Sequence, residues 1–159
     1  VNKLKYLIFL VSLNAFSLSF FNNDFKATIK ETNIKGIKEY TIDYTPNKII
    51  VEIISSGVNK GEIYTYKNNK KSIYYPIIDE VVEQEYANED NDIILALATL
   101  KDIEKTTEKD EKKYIVENDK IKKIVAKNYV IIFSYDKEDR IEKILFDNYN
   151  ELREYEWKY

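Results

Sequence analysis

The chain has neither histidine nor cysteine, and this removes most of the side-chain chemistry a protein can perform. Histidine-based triads, imidazole general bases and the usual zinc sites are excluded. So are a disulfide framework and a cysteine that could be acylated after an apolar leader. Carboxylate and lysine chemistry remain. Charged residues make up 33% of the sequence, yet no carboxylate pair stands in an apolar setting that would poise it. The densest acidic cluster is Asn88-Glu89-Asp90-Asn91-Asp92. It lacks the regularly spaced oxygen ligands and the glycine of a calcium loop. The expectation is a protein that is not an enzyme and carries no metal or cofactor.

The same acidic pentad suits the start of a helix, where Asn and Asp cap free N–H groups and negative charge meets the positive end of the helix dipole. Ile93-Ile94-Leu95-Ala96-Leu97-Ala98-Thr99-Leu100 follows it. One helix is therefore expected within Asn91 to Glu104. Its apolar residues run nearly all the way round, so it must be buried on more than one side or face something apolar from outside the chain.

Strands account for most of the remainder. Short runs alternate apolar with polar residues and are bounded by turn formers, the mark of antiparallel strands with one wet face. Phe25, Ala27 and Ile29 alternate with lysines and Thr28, and Tyr40, Ile42 and Tyr44 alternate with Thr41 and Asp43. Pro46-Asn47 makes a turn before the apolar run Lys48 to Ser55, and Gly57 to Gly61 makes another before Glu62 to Lys67. After Asn68-Asn69 comes Lys71 to Pro76. Beyond the helix, Tyr114 to Glu117, Ile121 to Lys127, Tyr129 to Tyr135, Arg140 to Phe146 and Glu151 to Trp157 read as five more strands. The fold class expected is mainly β: a curved antiparallel sheet of roughly ten strands, an incomplete β-barrel, covered by one helix as lid or plug.

The N-terminus reads as a secretory signal. Lys3 and Lys5 precede the apolar run Tyr6 to Leu13, and small residues follow in either Ala15-Phe16-Ser17 or Ser17-Leu18-Ser19. That order is the pattern of a cleaved signal peptide, and the run is shorter than the roughly 20 apolar residues of a bilayer span. The expected organisation is a signal peptide over 1–19 and one domain over 20–159, exported to the periplasm and soluble there as a monomer. Lysine and arginine number 25 against 28 aspartate and glutamate. Removing Lys3 and Lys5 leaves 23 against 28, a formal charge of −5. Such interspersed, mildly acidic charge offers no footprint for a phosphate backbone, so nucleic acid is not an expected partner.

Taken in order, these elements resemble the outer-membrane lipoprotein carrier family, the LolA/LolB-like proteins. Thr45-Pro46-Asn47-Lys48-Ile49-Ile50-Val51-Glu52 resembles that family's strand–turn–strand around a proline, and Gly61-Glu62-Ile63-Tyr64-Thr65-Tyr66 its glycine turn leading into an aromatic strand. Ile131 to Asp136 with Arg140 to Ile144 resembles its closing hairpin. The chain differs in leaving little room for an opening amphipathic helix at Phe20 to Asp24, and in having Lys48 and Ile50 where the family's carriers often place an arginine. The resemblance implies a curved, incomplete barrel under a helical lid, whose apolar cavity shields lipoprotein acyl chains across the periplasm. It also implies an inner-membrane release complex and an outer-membrane acceptor as partners.

A carrier must line its cavity with apolar side chains, because exposing an acyl chain to water costs about 0.8 kcal/mol per CH₂. Strand parity, the face opposite the charged residues, gives the candidates Ile49, Val51, Ile53, Tyr64, Tyr66, Ile131, Phe133, Ile144 and Phe146. The helix adds Ile93, Leu97 and Leu100. The function expected is a carrier for lipoprotein acyl chains or a related amphiphile, a chaperone of protein transport. The competing expectation is a secreted interaction module of tyrosine-rich hairpin repeats, resembled by Tyr135 to Tyr159, which would need a recurring period that only about two copies supply.

Overall fold

The computed structural model describes residues 19–55, 57–85, 97, 100 and 103–159. The expected signal run, Ile93 and the acidic pentad lie outside the described residues. After a 3-10 turn at Ser19–Asn22, the strands are β1 (Phe25–Asn33), β2 (Gly36–Thr45), β3 (Lys48–Ile53), β4 (Ile63–Lys67), β5 (Lys70–Tyr75) and β6 (Glu80–Glu85). Then come β7 (Thr107–Lys109), β8 (Lys112–Glu117), β9 (Lys120–Val125), β10 (Val130–Tyr135), β11 (Ile141–Asp147) and β12 (Leu152–Lys158).

The twelve strands among the described residues join one antiparallel sheet in the order β6-β5-β4-β3-β2-β1-β12-β11-β10-β9-β8-β7. Every strand thus neighbours the next in sequence except at one place. The first and last strands pair in the middle, with Ile29 opposite Trp157, while β6 and β7 end up on opposite edges. The result is an up-and-down barrel left open along the β6/β7 seam. A sheet this wide rarely stays open without curling, and the burial agrees. One contiguous core draws on Tyr66 of β4 and Tyr114 of β8, eight strands apart, together with the inner faces of the strands between them. The strands form a single sheet over a single core, not a stack of independent hairpin repeats.

Turn residues explain why the meander folds back so tightly. Asn68-Asn69, Asp110-Glu111 and Asn118-Asp119 each have φ between 51° and 58°, the left-handed pair that a two-residue hairpin of matching twist requires. Asp136 accepts hydrogen bonds from the N–H groups of Glu138 (2.8 Å) and Arg140 (2.9 Å), fixing the β10–β11 turn. One extra residue sits in β9, where Ile115 faces Lys123 and Val116 faces Ile121, and another in β11, where Ser134 faces Lys143 and Tyr135 faces Ile141. Such bulges add local twist and help a sheet curl.

Two strands go beyond the ten expected. In β6, Val81 and Val82 are adjacent among acidic residues, and the strand is exposed throughout, so no alternation marks it. In β7 only three residues pair. Most of the expected helix lies outside the described residues. Its two described positions, Leu97 and Leu100, are helical and completely buried in the core. They belong to the stretch between Glu85 and Thr107, which must link one edge of the sheet to the other. Among the described residues no helix is long and apolar enough to cross a membrane.

Candidate functional site

The curled sheet has two unlike ends. At the end carrying the β2–β3 turn and the 3-10 turn, aromatic rings fill the interior. Phe25 stacks on Tyr44 and on Phe20, each with ring centres 4.6 Å apart. The Tyr44 hydroxyl donates to the carbonyl of Phe21 at 3.0 Å, and Trp157 and Tyr159 lie beside Phe25.

Towards the other end lies a cavity of about 250 Å³, lined by inward-facing residues of β1 to β5 and by Asn59 of the β3–β4 loop. Val51, Ile53, Tyr64 and Tyr66, all expected from strand parity, are in its wall. Glu31, Lys38, Tyr40 and Lys71 complete it. Lys71 is only 8% exposed, and its Nζ lies 5.6 Å and 5.9 Å from the ring centres of Tyr64 and Tyr66. Those rings stabilise the ammonium through their electron-rich faces. Tyr64 itself donates its hydroxyl to the Glu62 carboxylate. Burial first, and that hydrogen bond second, push its hydroxyl up to about 12. Glu31 and Lys38 stand directly opposite one another where β1 and β2 approach their turn, so the cavity carries charge at both its rim and its floor.

The other expected lining residues among those described are not in this cavity wall. Ile49, Ile131, Phe133, Ile144, Phe146, Leu97 and Leu100 are buried in the core. Ile53 and Tyr64 are half-buried against it. Sequence reasoning missed Lys71, Glu31 and Lys38, because charged residues were assigned to the wet face. Lys71 had a usable signal, since it shares strand parity with Ile73, which is buried. Among the described residues no group of acidic side chains could hold a metal ion.

An antiparallel barrel left open along one seam defines the class of fold. It is the LolA/LolB-like fold. The LolA superfamily protein NE2245 of Nitrosomonas europaea superposes with a TM-score of 0.61 at 10% identity, over 87% of this chain and 85% of that one. An uncharacterized conserved protein of Thermus thermophilus superposes with a TM-score of 0.54 at 13% identity, over 90% and 82% respectively. No protein-family model and no curated protein sequence matches the chain.

Proposed function

We propose that the protein is a periplasmic carrier that shields the acyl chains of a lipoprotein or a related amphiphile inside the curled sheet, and that it acts by binding and not by turnover. The observation that carries this reading is the cavity itself. The inner face of the sheet leaves an opening where Val51, Ile53, Tyr40, Tyr64 and Tyr66 line free space beside Glu31, Lys38 and Lys71. The fold shared with a LolA superfamily protein supports it.

A volume of 250 Å³ lies just below the range of about 300–1,000 Å³ usual for small-molecule sites. It takes a short acyl segment as it stands. Longer chains need the core to part, and the unpaired β6/β7 seam is where it can do so without breaking ladder hydrogen bonds. Export by the N-terminal apolar run, release from an inner-membrane complex and delivery to an outer-membrane acceptor complete the reading.

Titration of the purified protein with a dansyl-labelled fatty acid tests it, together with lipid extraction of protein recovered from its own cells. Saturable probe fluorescence and co-purifying lipid are the expected results. No probe binding and a lipid-free protein would remove the carrier reading.

A further inference from the structure

Successive turns of an antiparallel meander alternate between the two ends of the sheet, and the ends of this sheet differ sharply. Among the described residues twelve large apolar side chains stand exposed, and eight of them sit on or beside turns at one end. The β1–β2 turn presents Ile34, 88% exposed, and Ile37. The β3–β4 loop presents Val58, 85% exposed, and Ile54. Ile77, 81% exposed, and Ile78 form the β5–β6 turn, and Tyr149 and Leu152 flank the β11–β12 turn. Turns at the opposite end are Pro46-Asn47, Asn68-Asn69, Asn118-Asp119 and Asp136 to Asp139.

These four apolar turns are consecutive across the sheet, in the order β5–β6, β3–β4, β1–β2 and β11–β12. Neighbouring strands lie about 4.8 Å apart, so the row extends about 30 Å along the sheet. Single exposed apolar residues are ordinary. A continuous row of them on one rim, with none of comparable exposure on the turns of the other, is not. The cavity belongs to the same end: Asn59 of the β3–β4 loop, and Glu31 and Lys38 beside the β1–β2 turn, are in its wall.

We propose that this rim is a membrane-docking edge, and that its occupant is the interfacial region of a bilayer containing anionic lipid. The arrangement fits a bilayer better than a folded partner. The apolar groups are carried singly or in pairs on separate turns, interleaved with polar residues, instead of forming one flat patch to be covered. Lys35 and Lys60 are exposed on the two central turns, and lysine beside shallowly inserted apolar groups is the chemistry of interfacial binding to anionic lipid. Three acidic groups on the flanking turns are engaged within the protein, while Glu80 is exposed at the start of β6. Asp79 accepts from the Tyr74 hydroxyl at 3.0 Å, Asp147 from the N–H of Tyr149 at 2.8 Å, and Glu151 from Arg153 at 2.9 Å. Docked by this rim, the barrel would hold its cavity against the lipid surface. That last step rests on the carrier reading, whereas the docking itself does not.

Co-sedimentation of the full chain with phosphatidylcholine vesicles, with and without phosphatidylglycerol, tests the proposal. The triple variant Ile34→Asn, Val58→Asn, Ile77→Asn should lose vesicle affinity by about tenfold or more, since three inserted apolar side chains are removed. The double variant Lys35→Glu, Lys60→Glu should lose affinity only for vesicles with phosphatidylglycerol. Ile132→Asn, exposed on β10 away from the rim, should bind as the unmodified chain does. The run Tyr6 to Leu13 is common to every variant, so a difference between them reports the rim. Full binding by the triple variant, equal loss by Ile132→Asn, or no binding of the unmodified chain to either vesicle overturns docking. A fatty-acid probe titration without vesicles reads the cavity separately: probe binding without vesicle binding leaves the carrier and removes the rim, and the reverse removes the carrier alone.

Discussion

Ile29 of the first strand lies directly opposite Trp157 of the last. Both are buried, so the two termini of the domain meet at the centre of the sheet and the opening is left to β6 and β7. The consequence is mechanical. Closure depends on contacts between residues more than a hundred positions apart, and these lie at the middle of the sheet, away from its β6 and β7 edges.

Trp157→Ala should therefore cost about 3–5 kcal/mol, as truncation of a large buried aromatic side chain does. Among the described residues its indole N–H has no hydrogen-bond partner, so Trp157→Phe sacrifices no polar contact and should cost only about 1 kcal/mol. Urea denaturation of the two variants checks the ratio. Equal losses would mean that the indole N–H contributes after all.

The β10–β11 turn should make stability sensitive to acid. Burial of Asp136 works against its charge, but the N–H groups of Arg140 and Glu138 and the Arg140 guanidinium outweigh it and hold the carboxyl below its usual 3.8. A depressed carboxylate stabilises the fold above its unfolded value and loses that contribution as pH falls through the folded one. Melting temperature should fall below that window, and Asp136→Asn should melt lower at neutral pH while converging with the unmodified chain in strong acid. A constant gap between the two at all pH values would assign the loss to the neutral hydrogen bonds instead.

Tyr64 gives the opposite sign at the other extreme. Its hydroxyl is pushed from 10.0 to about 12, so the folded state holds a proton that the unfolded state has released. Stability from this group is complete below pH 10 and declines as pH rises from there towards 12. Tyr64→Phe should flatten that alkaline decline, and a pH series of chemical denaturation measures it. An unchanged slope would place the loss on another tyrosine.

Period-two alternation made most of the sheet legible, because ten of its strands have one dry and one wet face. It failed where the physics of a strand departs from strict alternation. Ile121 and Ile124 are both buried, as are Ile141 and Ile144, although odd spacing assigns each pair to opposite faces. The extra residue of each bulge, Lys122 and Glu142, restores the inward direction. The exposed edge strand β6 has no dry face to read. Lys71 was hidden for a different reason, since its ammonium is sheltered by two tyrosine rings of the neighbouring strand, and that shelter exists only once β4 and β5 pair. Pairing of β1 with β12 could not be read from local pattern at all, being a contact between the ends of the domain.

Burial separates the expected lining into two groups with different responses to a charge. Leu97 is completely buried among core side chains, whereas Ile53 is half-buried and in the cavity wall. Glutamate at position 97 has neither water nor a partner in the closed core, and such a group costs several kcal/mol, on the order of 3–5. Leu97→Glu should therefore unfold the domain or lower its melting point severely. Glutamate at position 53 reaches the cavity space, so Ile53→Glu should stay folded and lose binding of a dansyl-labelled fatty acid. Thermal melting and probe titration of both variants decide the matter. If Leu97→Glu melts normally, Leu97 is not fixed in the core in solution. If Ile53→Glu binds the probe unchanged, the cargo does not enter by the cavity between β1 and β5.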